Sequence, residues 1–168
     1  MHVPSLFPTA ALAALALPAQ ASLLVDDVGL TMDGGMLTVI YGQNCGPFTC
    51  TPFFAGPVAA GQPSRTVIVY GAQLQPFVLA IDLVNPAPCV AIPGLANSLI
   101  LGLQPITLAV GAIGPGILIG PCSQGRAFYG LAFPAGAPPG VQFQLQALAM
   151  SASQNVPAFT IALQSQTL

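Results

Sequence analysis

Proline and glycine interrupt this chain so often that a helix has almost nowhere to run, with eighteen of each spread through 168 residues. Proline removes an amide donor and clashes with the preceding helical turn, while glycine loses the most backbone freedom on ordering. Between the interruptions no stretch shows clear apolar residues at three-to-four spacing, the pattern an amphipathic helix needs. They come in runs of strand length, some alternating strictly with polar residues. Val141-Gln142-Phe143-Gln144-Leu145-Gln146-Ala147 is the clearest case, and Phe159-Thr160-Ile161-Ala162-Leu163-Gln164 repeats the pattern. A period of two predicts one face packed inward and one face wet, with Gln142, Gln144, Gln146, Gln164 and Gln166 on the wet side.

Other strand signals fill the rest. Leu23–Leu30 and Met36–Tyr41 flank Met32-Asp33-Gly34-Gly35 and read as a hairpin. Thr66–Tyr70 and Phe77–Val84 are rich in β-branched and apolar residues. Ser98–Leu103, Ile106–Val110, Ile117–Ile119 and Ala127–Phe133 are shorter apolar segments, and Pro86, Pro88 and Pro93 forbid regular structure around Cys89. The expectation is an all-β fold: a single antiparallel β-sandwich of about eight or nine short strands. An outer-membrane barrel fits less well, because such barrels carry aromatic girdles and a polar, often charged interior. Residues after position 21 contain three tyrosines, Tyr41, Tyr70 and Tyr129, and no tryptophan.

The first 21 residues, Met1 to Ala21, read as a signal peptide. An apolar run from Ala10 to Leu17 precedes Ala19-Gln20-Ala21, whose small residues suit signal peptidase and predict cleavage before Ser22. The run is too short to span a bilayer, and no later stretch offers about 20 apolar residues free of Pro and Gly. The expected product is an exported, secreted or cell-surface domain covering residues 22–168, with no integral membrane span.

Charge is scarce enough to exclude whole classes of function. Beyond the leader the charged residues are Asp26, Asp27, Asp33, Asp82, Arg65 and Arg126; lysine, glutamate and histidine are missing there. Two arginines cannot make the basic footprint that nucleic acid requires. Without an imidazole there is no Ser-His-Asp or Cys-His machinery, and the aspartates lack the Asp-Thr-Gly or Asp-Ser-Gly context of an aspartic-protease dyad. With 54% hydrophobic residues and a mean hydropathy of +0.80 the chain has ample apolar surface to bury, so disorder is also excluded. Its exterior must be covered by uncharged residues, which repel neighbours weakly.

Four cysteines in an exported chain predict two disulfides. Three pairings are open. Cys45 and Cys50 lie in CGPFTC, where Gly46 and Pro47 could turn the chain back, so the preferred expectation is Cys45 with Cys50 and Cys89 with Cys122. In the chain-entropy model the longer loop would contribute about 3–4 kcal/mol and the local one about 2.

Three sets of residues are candidates for binding. Asp26, Asp27 and Asp33 form the one local cluster of carboxylates and could contribute oxygen ligands to a calcium ion, although a solvated turn explains Asp33 before two glycines equally directly. Arg126, Phe128 and Tyr129 could form an aromatic platform for a glycan or a partner protein, with core packing as the competing role for the rings. The glutamine rows offer uncharged strand faces suited to association between copies, or simply a solvated amide surface. Gly111-Ala112-Ile113-Gly114-Pro115-Gly116 lacks the strand-to-helix context of a phosphate loop and reads as a turn. No cofactor is expected.

The segments Leu131–Met150 and Pro157–Leu163, with Val67–Ala72, Pro76–Ile81 and the placement of Cys45 and Cys122, resemble small Gly/Pro-rich exported bacterial domains. That resemblance implies a β-sandwich and export, and no activity or site. The functional expectation is a non-catalytic extracellular structural or interaction protein, possible self-association included, with a small glycan- or protein-binding module as the alternative.

Overall fold

A computed structural model describes residues 23–34, 39–61, 65–84, 89–102, 104–116 and 125–168. The proposed leader, the segment Ile117–Ile119 and Cys122 lie outside the described residues.

The described residues form strands and no helix: β1 (Gly29–Asp33), β2 (Ile40–Gln43), β3 (Phe53–Phe54), β4 (Arg65–Gly71), β5 (Pro76–Leu83), β6 (Val90–Ala91), β7 (Ser98–Leu99), β8 (Ile106–Ala112), β9 (Gly125–Leu131), β10 (Gln142–Met150), β11 (Pro157–Phe159) and β12 (Leu163–Gln166). The expected eight or nine strands correspond to the longer elements. Of the shortest elements, β7 begins the expected Ser98–Leu103 segment and β11 and β12 divide the expected Phe159–Gln164 run, whereas β3 and β6 are two-residue pairings outside the expected strands.

Two sheets face each other. One has the order β2-β1-β4-β9, the other β3-β12-β10-β5-β8, with β11 also on β10; β6 and β7 form a separate short ribbon. The pairings between the described strands are antiparallel, as expected, apart from the two-residue contact of β3 with β12, which is parallel. The hairpin predicted around Asp33-Gly34 is present, with Met32 opposite Tyr41 and the Gly34 amide donating to Val39 O at 2.7 Å.

Period-two alternation builds the core. Leu30 and Met32 of β1 and Val67 and Val69 of β4 point inward from the first sheet. Phe77 and Leu79 of β5, Phe143, Leu145, Ala147 and Ala149 of β10, and Leu163 of β12 meet them from the second. Each of the large side chains removed from water stabilises the fold by about 1.5–3 kcal/mol before entropy is counted. The Phe133 and Phe143 rings pack at a centroid distance of 5.0 Å.

The disulfide pairing differs from the expected one. Cys50 is bonded to Cys89, so neither Cys45–Cys50 nor Cys89–Cys122 forms. Cys45 is also disulfide-bonded. The reason lies in what CGPFTC does. It carries the chain from β2 in one sheet to β3 in the other. The Gly46 amide is tied to Asp26 O at the entry to β1, and Phe48 packs against the core. Held at Gly46 and Phe48 as it crosses between the sheets, the segment delivers Cys50 to Cys89, with Cα atoms 5.5 Å apart.

Candidate functional site

The three carboxylates do not gather. Asp26 and Asp27 lie before β1 and Asp33 at its far end, about 13 Å of strand away. Asp27 Oδ2 accepts from the Ser153 amide at 2.6 Å, which fastens the β1 entry to the β10–β11 turn. Among the described residues no group of three His, Cys, Asp or Glu side chains is placed to hold a metal ion. The calcium expectation therefore has no geometry behind it, because ligands on opposite ends of an extended strand cannot share a cation. Asp82, on β5, caps its neighbour by accepting from the Leu83 amide at 2.8 Å.

The Arg126, Phe128 and Tyr129 platform is divided by the pleat. On β9, Ala127 and Tyr129 lie opposite Val69 and Val67, whose side chains are fully buried, so Tyr129 turns inward and packs against the core. Arg126 and Phe128 lie on the opposite, outer face. The guanidinium carbon sits 5.1 Å from the Phe128 ring centroid, a cation–π contact, and Phe128 is 59% exposed. The aromatic residue beside Arg126 on that face is Tyr70, its partner across the β4–β9 ladder. Sequence adjacency suggested Tyr129; strand register supplies Tyr70, and register is not visible in the sequence.

The glutamine row on β10 is not a wet face. Gln142 is exposed, yet Gln144 and Gln146 are only 4% and 2% exposed. The Gln146 amide is saturated by backbone. Its Oε1 accepts from the Ile100 amide at 2.9 Å, and its Nε2 donates to Ser98 O and Thr160 O, both at 2.9 Å. The segment from Ala96 to Leu101 is laid over the outer face of the six-stranded sheet, where Ile100 and Leu101 are buried apart from the main core. Asn97 holds that segment in a left-handed conformation (φ 59°). Its side chain accepts from the Val25 amide at 3.0 Å and donates to Val25 O and to Phe159 O, the latter at 2.7 Å. Gln144 is less well served: Nε2 reaches Gln164 Oε1 at 3.4 Å, and its own buried Oε1 meets no donor among the described residues.

Thr160 explains why the last strand is broken in two. Its hydroxyl accepts from the Ala147 amide of β10 at 3.0 Å and donates to Ile161 O, standing in for a ladder bond to β10 at the break that separates β11 from β12.

The edge of the six-stranded sheet is the surface that hydropathy alone did not single out. β8 pairs with β5 on one side and no described strand lies along the other. Ile106 and Val110 are 67% and 70% exposed. No charged residue and no proline occurs from Ile106 to Ala112. One irregularity is present, a register shift opposite Leu79 and Ala80, beyond which Ala109–Ala112 runs regularly.

Comparison with known protein families, with characterised proteins and with solved structures gives no match to this chain.

Proposed function

We propose that this chain is an exported, non-catalytic structural or interaction protein whose copies associate edge to edge through β8. The observation that carries the reading is the composition of that edge. Sheet edges offer rows of unpaired amides and carbonyls, and proteins blunt them with lysine, proline, bulges or a covering segment. β8 has a bulge but neither lysine nor proline, no described strand covers it, and its large exposed side chains, Ile106 and Val110, are β-branched and apolar. Antiparallel pairing of an edge with its own copy is self-complementary about a two-fold axis. With so few charges elsewhere, little electrostatic repulsion opposes the approach of two copies. The disulfide and the leader-like N-terminus support export.

The glutamine faces have no part in this contact, because Gln144 and Gln146 are already committed inside the molecule. Light scattering on a sizing column tests the reading. The expected outcome is a mass that rises with concentration for the natural sequence and stays monomeric for Val110→Lys, which places a charge on the edge. A natural sequence that runs as a monomer throughout the accessible concentration range overturns it, as does a Val110→Lys variant that assembles like the parent.

A further inference from the structure

We propose that β8 and β9 are the two sides of a seam that zips shut within one molecule, and that the closed seam hides the edge through which copies associate. Seam closure, which rests on the reading of β8 as the associating edge, adds a control over it. At the corner where the two sheets touch, Gly114 donates to Arg126 O at 3.0 Å and Arg126 donates back to Gly114 O at 3.3 Å. Ile113 sends both of its backbone groups the other way, its amide to Gln75 O and its carbonyl to the Leu74 amide, each at 2.8 Å. Backbone direction alternates along a strand, so Ala112 and Val110 aim their amides and carbonyls at the same flank as Gly114. By the same alternation Phe128 and Gly130 aim theirs at the flank of β9 that Arg126 uses. The two flanks face each other, and among the described residues the pairing between them is one isolated bridge.

Extending that antiparallel bridge puts Ala112 opposite Phe128 and Val110 opposite Gly130. The register keeps every side chain on its own face. Ala112, Val110, Phe128 and Gly130 are exposed. Gly111 and Ala109, which pair across β5 with the buried Phe77 and Leu79, come opposite Tyr129 and Leu131, which pack on or within the core. A one-residue slip would have turned one strand's core face to solvent. Each inward pair sets a small residue against a large one, and neither strand carries a carboxylate, a lysine or an internal proline. The bulge opposite Leu79 and Ala80 ends the matching stretch at Val110. Closure adds about four backbone hydrogen bonds, made by the same groups of Val110 and Ala112 that an added copy needs. Packed sheets stand about 10 Å apart and paired strands about 4.8 Å, so the seam shuts by a movement of about 5 Å. Closed and associated forms exclude each other, and dilution favours the closed one.

Cysteine trapping in the mature chain, with the native disulfides left intact, tests it. Val110→Cys/Gly130→Cys, oxidised with glutathione at low protein concentration, is expected to form an intramolecular disulfide about tenfold faster than the mismatched pair Val110→Cys/Phe128→Cys. In a hydrogen-bonded antiparallel pair the Cα atoms stand about 5.5 Å apart, which a disulfide spans. Light scattering should then find the oxidised protein monomeric at concentrations where the same variant before oxidation associates. If Gly130→Cys does not fold, Ala112→Cys/Phe128→Cys, at two exposed positions one step nearer the bridge, takes its place with the same expected block. Equal trapping of matched and mismatched pairs, or a trapped protein that associates like its unoxidised form, overturns seam closure. A natural sequence that never associates overturns the edge reading instead, and faster trapping of the matched pair still upholds the closing seam.

Discussion

Gln146 is a residue whose environment inverts its usual behaviour. A glutamine in an alternating strand is ordinarily solvated, whereas here its amide satisfies backbone groups on two separate segments. Removing a buried partner costs the desolvation of each group it leaves unpaired, about 1–3 kcal/mol apiece. Gln146→Leu is therefore expected to destabilise the protein by about 3 kcal/mol or more. Gln144→Leu, two residues away and with an acceptor already unmet, should cost less than about 1 kcal/mol. Chemical denaturation of the two variants side by side measures the difference; equal losses contradict it. The sequence displayed which residues share a face of β10 and was silent on what covers that face. Ala96–Leu101 supplies the cover, and nothing local in Gly94-Leu95-Ala96-Asn97-Ser98 announces that it folds over a sheet. Asn97 is similarly hidden, because a left-handed asparagine is recognisable only by the partners its side chain finds.

Elements built from strong local patterns were legible, and elements built from pairing were not. β4, β5, β9 and β10 emerge from TVIVY, FVLAIDLV, the run after Gly125, and VQFQLQA because period-two alternation and β-branched content are local properties. β3 and β6 are two-residue pairings outside the expected strands, and β7 is only the first two residues of the expected Ser98–Leu103 run, so composition does not reveal where these segments pair. The same distinction separated Tyr129 from Tyr70 at the arginine. A further pairing joins the two sheets at one corner, where Gly114 and Arg126 exchange backbone bonds. Gly125 makes that corner feasible, since a Cβ there would overlap Gly114 O and crowd Ile113. Gly125→Ala is expected to separate β9 from the end of β8 and to lower stability by about 1–3 kcal/mol, an overpacking cost. Hydrogen exchange should report it as faster exchange at the Gly114 and Arg126 amides; unchanged protection there refutes the role given to the corner.

At the scale of the whole molecule, the Cys50–Cys89 bridge spans a sequence separation of 39 and links the entry to β3 with the approach to β6. A loop of that size corresponds to about 4 kcal/mol in the chain-entropy model. The double variant Cys50→Ser/Cys89→Ser should melt about 8–16 °C lower, a shift that thermal unfolding reads directly. A change of a degree or two shows that the bridge closes a loop already fixed by the sheets. Disulfides as such were readable from an even cysteine count, but their partners were not, because the pairing follows from a chain crossing between sheets. The placement of β12 has a consequence for how such a molecule is made. Leu163–Gln166 lies between β3 and β10, giving β3 its one partner strand among the described residues. A ribosome delivers these residues well after those of β3 and after those of β10. Until they emerge β3 lacks its partner strand among the described residues and β10 is covered on that flank only where β11 pairs with it, so the six-stranded sheet closes only once residues 163–166 are available.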